Sequence, residues 1–235
     1  DTQYTEFEKV IEAIRNAVSV SESFESVFER LYPSKVNDSL WIFMLSAYLE
    51  FNAGGDISQL SSKYFDDDEQ YSGADLLITN GYDKVAEFLA IDLTVRLNQK
   101  VTEINYSSSK VLVVTNQETI EADYVIVSVP LGVLKKNHIQ FTPELPSVIS
   151  GAIERLKMGN VNKFLLTWDT AFWDTNLQYV GFTPQEKGKF NYFLNLNTFS
   201  ATANSLMTFA FGEYADQSEL LSDAEIIDEI MNHLK

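Results

Sequence analysis

The chain has 235 residues, 45% hydrophobic and 13% aromatic, which is enough for a substantial core and too apolar for global disorder. Its 34 acidic residues against 17 lysines and arginines give a formal net charge of -17, a balance that repels nucleic acid and anionic lipid surfaces. With no cysteine, disulfides, thiolate catalysis and cysteine-based zinc sites are excluded, and with only His138 and His233 a multi-histidine metal site is not expected.

The charge itself has two readings: plain solubility, or a field that draws cationic substrates such as polyamines. The length suits one large domain or two smaller interleaved ones. The opening residues, Asp1 to Glu8, contain neither a basic stretch nor an apolar stretch of the signal-peptide kind. They also lack an initiator methionine, so the chain is expected to begin partway through a longer gene product.

In chain order, Phe7, Val10, Ile11, Ile14 and Val18, then Phe24, Val27, Phe28 and Leu31, recur at helical spacing and predict helix over 4–31, stopped by Pro33. Asp38 is a candidate N-cap for a second helix running to Phe51 and ended by Gly54 and Gly55. That helix is apolar nearly all round. It is shorter than the roughly 20 apolar residues a membrane span needs and carries Glu50, so it is expected in a core. Residues 55–75 are polar and turn-rich. The run Asp66 to Glu69 lacks the ligand alternation of a calcium loop and reads as solvated chain.

Leu76 to Ile78 suggests a short strand, followed by a helix over 83–90. From 91 to 130 the chain reads as strands: Val95 and Leu97 alternate, Val101 and Ile104 loosely, Val111, Val113 and Thr115 most clearly. Tyr124 to Val129 is a largely β-branched run closed by Pro130, as expected of a central strand buried on both faces. A helix is expected over 147–157 and strands over 161–168, 178–183, 190–199 and 205–212. Ser222 and Glu225 form a capping box for a last helix.

Chemistry is sparse. Ten glycines are present, none arranged as a phosphate-binding loop. A serine-histidine-acid triad and a carboxylate pair cannot be argued. In the strand over 161–168, Val161, Lys163, Leu165 and Thr167 share one face, and Asn162, Phe164, Leu166 and Trp168 the other. Both faces are largely apolar, so the strand is expected to be buried with Lys163 among apolar neighbours. Such a lysine suits base chemistry or the holding of a catalytic water. The alternative is a packed stem with its head in solvent. Trp168, Phe172 and Trp173 read as core rather than as a cofactor wall.

The stretch Ala122-Asp123-Tyr124-Val125-Ile126-Val127-Ser128-Val129-Pro130-Leu131-Gly132-Val133-Leu134-Lys135 resembles a signature of flavin-containing amine oxidases. That family includes polyamine oxidases, monoamine oxidases and lysine-specific histone demethylases. The likeness continues through Phe141-Thr142-Pro143, Lys157-Met158-Gly159-Asn160-Val161-Asn162-Lys163 and Phe172-Trp173. It implies an α+β and α/β chain: a substrate domain of mixed sheet flanked by helices, interrupted by a portion of a dinucleotide-binding domain for FAD. On that basis residues 1–75 are the helical part of the substrate domain, 76–132 a partial FAD-binding segment, and 133–235 the substrate-domain sheet and helices.

The resemblance also implies roles. Lys163 matches a lysine that holds a water near the flavin, for flavin reoxidation or imine hydrolysis. Val101 matches a strand valine whose backbone meets the adenine, and Val129 and Pro130 lie by the flavin's nucleotide half. The expected substrate is a small amine, possibly a polyamine. The glycine-rich loop that grips pyrophosphate is absent from the sequence, so this chain alone is expected to hold FAD weakly and to be inactive. The rival readings are another flavoprotein of the same superfamily and a binding module that has lost the flavin.

Overall fold

A computed structural model describes residues 2–17, 22–67, 71–74, 76, 78–183 and 187–235. The chain forms two compact units, one made of residues 1–68 and 159–235, the other of residues 69–158.

The first unit opens with helix α1, Thr2–Asn16, and helix α2, Phe24–Leu31. The pattern over 4–31 is thus two helices. Ser23 begins the second by accepting the Ser26 amide at 3.2 Å, and Val18 lies outside the described residues. Helix α3, Ser39–Leu45, is capped by Asp38, whose carboxylate accepts the amides of Leu40 at 2.9 Å and Trp41 at 3.2 Å. It continues through a π-helical turn, Ser46–Glu50, into α4, Phe51–Ala53, and stops at Gly54 in the left-handed region, φ +62°. Phe7, Val10 and Ile14 of α1 pack with Phe24, Val27 and Phe28 of α2 and with Trp41, Met44, Leu45 and Ile57. The buried all-apolar helix is confirmed.

The second unit holds α5, Asp83–Leu89, then β1, Val101–Asn105, β2, Val111–Thr115, and β3, Thr119–Ala122, followed by α6, Leu131–Lys135, β4, Gln140–Thr142, and α7, Ser147–Arg155. Its sheet has the order β3-β2-β1-β4, with β4 parallel to β1 and the other pairs antiparallel. That parallel pairing ties α6, β4 and α7 into this unit, so residues 133–158 lie with it instead of with the sheet that follows.

Several expected strands do not form. Val95 and Leu97, and the described residues Leu76 and Ile78, sit outside any ladder, and Leu77 lies outside the described residues. Tyr124 to Val129 is not a strand either, and Tyr124 and Ile126 are 91% and 92% exposed. A strand buried on both faces needs hydrogen-bonded neighbours and covering layers. Among the described residues this segment has no ladder partner.

The chain then returns to the first unit with β5, Val161–Thr167, β6, Tyr179–Gly181, β7, Lys189–Asn195, β8, Ser205–Phe211, α8, Glu213–Ser218, and α9, Asp223–His233. The sheet is antiparallel throughout, in the order β5-β8-β7-β6. One face packs on α8 and α9 through Phe190, Phe193, Leu206 and Ala210 against Tyr214, Ala215 and Ile230. Helix α8 has no clear apolar period and was not foreseen, but Tyr214 and Ala215 are buried in that core. The capping box at Ser222 and Glu225 is present, with both reciprocal bonds made.

Candidate functional site

Lys163 occupies the middle of β5, an edge strand of the sheet in the first unit. Only one face of β5 is packed. Asn162, Phe164 and Leu166 are partly buried, while Val161, Lys163, Leu165 and Thr167 are exposed. The expected two-sided burial is therefore wrong for β5. Helices α8 and α9 cover only the Phe164 side, and an edge strand has no second neighbour to shield it. The Lys163 ammonium makes no hydrogen bond or ion pair among the described residues.

The face on which Lys163 sits is set by cross-strand register. In antiparallel pairs directly opposed residues share a face. Lys163 is opposite Phe209, Leu165 opposite Met207 and Val161 opposite Phe211. Leu194 of β7 also faces Met207, and Tyr179 of β6 faces Leu194. Phe51 from α4 closes on this surface, with ring centroids 4.9 Å from Phe209, 5.6 Å from Tyr192 and 5.7 Å from Phe211. Tyr192 stands 5.4 Å from Phe209 and 5.9 Å from Tyr179. Burial, and then the neighbouring Tyr179, push the Tyr192 phenol upward, so it stays neutral across the physiological range. The result is one lysine at the open edge of an aromatic floor. Its members Phe51, Tyr192 and Phe209 could not be placed from sequence, because Phe51 lies far from the strands and the pairing register decides the rest. Period-two alternation at Tyr192 and Leu194 was the available signal.

Trp168, Phe172 and Trp173 lie elsewhere. They form an edge-to-face trio with centroids 5.0–5.3 Å apart, and Trp168 and Trp173 pack on the core under α8 and α9. The Trp173 indole donates to Asn195 at 3.0 Å. Trp168 and Trp173 belong to the core as expected, whereas Phe172, packed edge-on against both, is 57% exposed. Among the described residues no cluster of acids and histidines could hold a metal, and no helix is long and apolar enough to cross a membrane.

Val101, Val129 and Pro130 belong to the second unit. Val101 opens β1 opposite Thr115 of β2, and the ladder to β4 starts only at Glu103, so among the described residues the other backbone edge of Val101 has no strand beside it. Val129 is partly buried and Pro130 exposed, in extended chain that leads into α6. These residues offer main-chain groups and shape. A cleft between α6, β4 and α7, lined by Leu134, Lys135, Ile139, Phe141, Glu144 and Ile153, includes none of them.

A family profile described as flavin containing amine oxidoreductase matches residues 5–235. The chain belongs to that family. Polyamine oxidase 4 of Oryza sativa subsp. japonica is 42% identical over 191 residues, covering 80% of this chain and 38% of the relative. Probable polyamine oxidase 4 of Arabidopsis thaliana is 37% identical over 236 aligned residues, covering 98% and 47%. This amine oxidoreductase chain thus spans less than half the length of these relatives. A solved putrescine oxidase variant redesigned in its cofactor binding superposes with TM-score 0.66 at 20% identity, over all of this chain and 57% of that one. That likeness bears out the mixed fold of sheets flanked by helices.

Membership of the family implies a flavin, and the residues present fit part of one. The unpaired backbone edge at Val101 and the extended main chain at Val129 and Pro130 suit a group held by main-chain contacts. The glycine-rich turn that would cradle a pyrophosphate is not among this chain's residues.

Proposed function

We propose that this chain is a section of an FAD-dependent amine oxidase, and that the aromatic floor beside Lys163 faces the amine. Over its full length the protein would oxidise the C–N bond of an amine, with a polyamine as the favoured substrate. The observation that carries this reading is the placement of a single unpaired lysine at the open edge of an otherwise apolar, aromatic surface. The family profile and the polyamine oxidase relatives support it.

Bound FAD would accept the hydride equivalent and pass electrons to oxygen, chemistry that no side chain supplies. The second unit would meet it through Val101, Val129 and Pro130. In the first unit, the partly exposed Phe51 and Tyr192, backed by the buried Phe209, would exclude water from the amine and hold its carbon chain against their rings. An amine kept neutral in that surface is the reactive form, and a neutral Tyr192 adds no charge to oppose it. Lys163 would donate from its ammonium to a water and so orient it for imine hydrolysis or reoxidation. The -17 formal charge would concentrate polycations around the molecule.

The test uses the full-length protein. Visible absorbance should show bound flavin, and anaerobic spermine or spermidine should bleach it. Lys163→Met should slow turnover or reoxidation by at least about tenfold. A flavin-bound protein that no amine bleaches indicates a different flavoenzyme, and a colourless one a binding module. An unchanged rate in Lys163→Met removes Lys163 from the mechanism.

A further inference from the structure

Glu50 is 1% exposed, and the chemistry above does not use it. Its carboxylate accepts the Ser46 hydroxyl at 2.9 Å and the Ile57 amide at 3.1 Å. Ser46, itself 0% exposed, accepts the Gly188 amide at 3.0 Å. One buried carboxyl therefore ties the helix to the chain just after it and, through Ser46, to the turn that enters β7, 142 residues further along. A buried polar network of this kind persists when its members find partners, and removing one member leaves the others unsatisfied.

The two ends of this network are the places from which the aromatic floor is hung. Ser46–Glu50 is π-helical, a wider turn than the α-helix around it, and the Phe51 amide closes that turn on the Ser46 carbonyl. Such turns are rare and need support from their surroundings. Phe51 follows immediately and packs on Phe209, Tyr192 and Phe211. At the other end, Gly188 precedes β7, which carries Tyr192.

We propose that Glu50 is a positioning residue for the floor beside Lys163: through Ser46 and the Gly188 amide it clamps the π-turn that sets Phe51 to the strand that sets Tyr192. The proposal rests on the reading of that floor as the amine-facing surface. A carboxylate suits the role because it accepts from two elements at once. The charges around it are Lys187, which pairs with Glu25 at 2.9 Å, and Asp56.

The test compares Glu50→Ala, Glu50→Gln and Ser46→Ala in the full-length protein by two readouts. The first is amide hydrogen exchange at Gly188, Phe51 and Tyr192. The second is anaerobic flavin reduction by spermine, split into apparent amine affinity and limiting rate. Glu50→Ala and Ser46→Ala should speed exchange at these amides and weaken the affinity on the order of tenfold, with the limiting rate within about twofold. Glu50→Gln keeps an acceptor for Ile57 and can donate to Ser46, so it should restore most of both. Should Glu50→Ala fail to fold, Ser46→Ala still cuts the link to Gly188. Unchanged exchange in Ser46→Ala overturns the clamp, and faster exchange with unchanged affinity overturns the positioning role. If spermine reduces no variant and not the parent either, the proposed function fails, and exchange at Phe51 and Tyr192 alone decides the clamp.

Discussion

At the scale of single residues, Glu50 is a buried carboxyl and Asp38 an exposed helix cap. Burial pushes the Glu50 carboxyl above the usual carboxylate range, and the Ile57 amide, Lys187 and Ser46 offset this only in part. A raised folded value means that the native state holds the proton more tightly than the unfolded chain. Glu50's contribution is thus fully present below the ordinary glutamate value, about 4.3, and is lost as pH rises through the folded value. Thermal melts across pH 4 to 8 should show Glu50→Gln gaining on the parent chain as pH rises, and a constant difference would contradict the shift. Glu225 titrates in the other sense. Hydrogen bonds with Ser222 hold it below the usual range, so its contribution is present at neutral pH and falls away in acid. Asp38 was legible as a cap from sequence alone, because its partners are the amides two and three residues on, Leu40 and Trp41. Asp38→Ala should cost about 1 kcal/mol in urea unfolding. The burial of Glu50 was not legible, since the Gly188 amide that its partner Ser46 holds comes from far along the chain.

Elements meet through backbone as well as side chains. The helix ending in α4 approaches the start of β5 so closely that a Cβ on Gly159 would lie 2.1 Å from the Gly54 carbonyl oxygen and 2.7 Å from that of Ala53. Both obstacles are main chain, and the Gly54 carbonyl already accepts the Asn160 amide at 2.7 Å. Gly159→Ala should destabilise by about 3 kcal/mol or more. Gly55→Ala, with nothing within 4 Å of its Cβ, should be close to neutral in the same denaturation experiment. From sequence Gly159 reads only as a helix stop; the close approach is a tertiary fact. In β7, the run from Lys189 to Phe193 passes β8 only from Ala210 to Thr208, which fits Phe190 at φ +49° into the core. Period-two reading of that strand could not foresee the irregularity.

For the whole molecule, the second unit leaves an unusual amount of apolar surface open: Leu76, Tyr82, Phe88, Leu97, Tyr124 and Ile126 are each at least 71% exposed. Patches of this kind associate or bind apolar dyes. The isolated chain should bind such a dye and self-associate as concentration rises in sedimentation runs, and Ile126→Lys should lessen both. In the full-length protein the amides of residues 124–129 should exchange slowly, as a paired central strand would, and equal exchange in both forms would remove that expectation. What sequence alone determined was local: helix phases, the Asp38 and Ser222 caps, most strand positions in the last 75 residues, and a motif run specific enough to indicate a flavin amine oxidase likeness. These rest on contacts within a few residues. Tertiary structure decided which face of β5 is open, where Phe51 lands and that Glu50 is buried. It also decided that the β-branched run at Tyr124 stays unpaired here. Each of these depends on partners distant along the chain, and a strand's burial or a carboxyl's ionisation is set by what covers it.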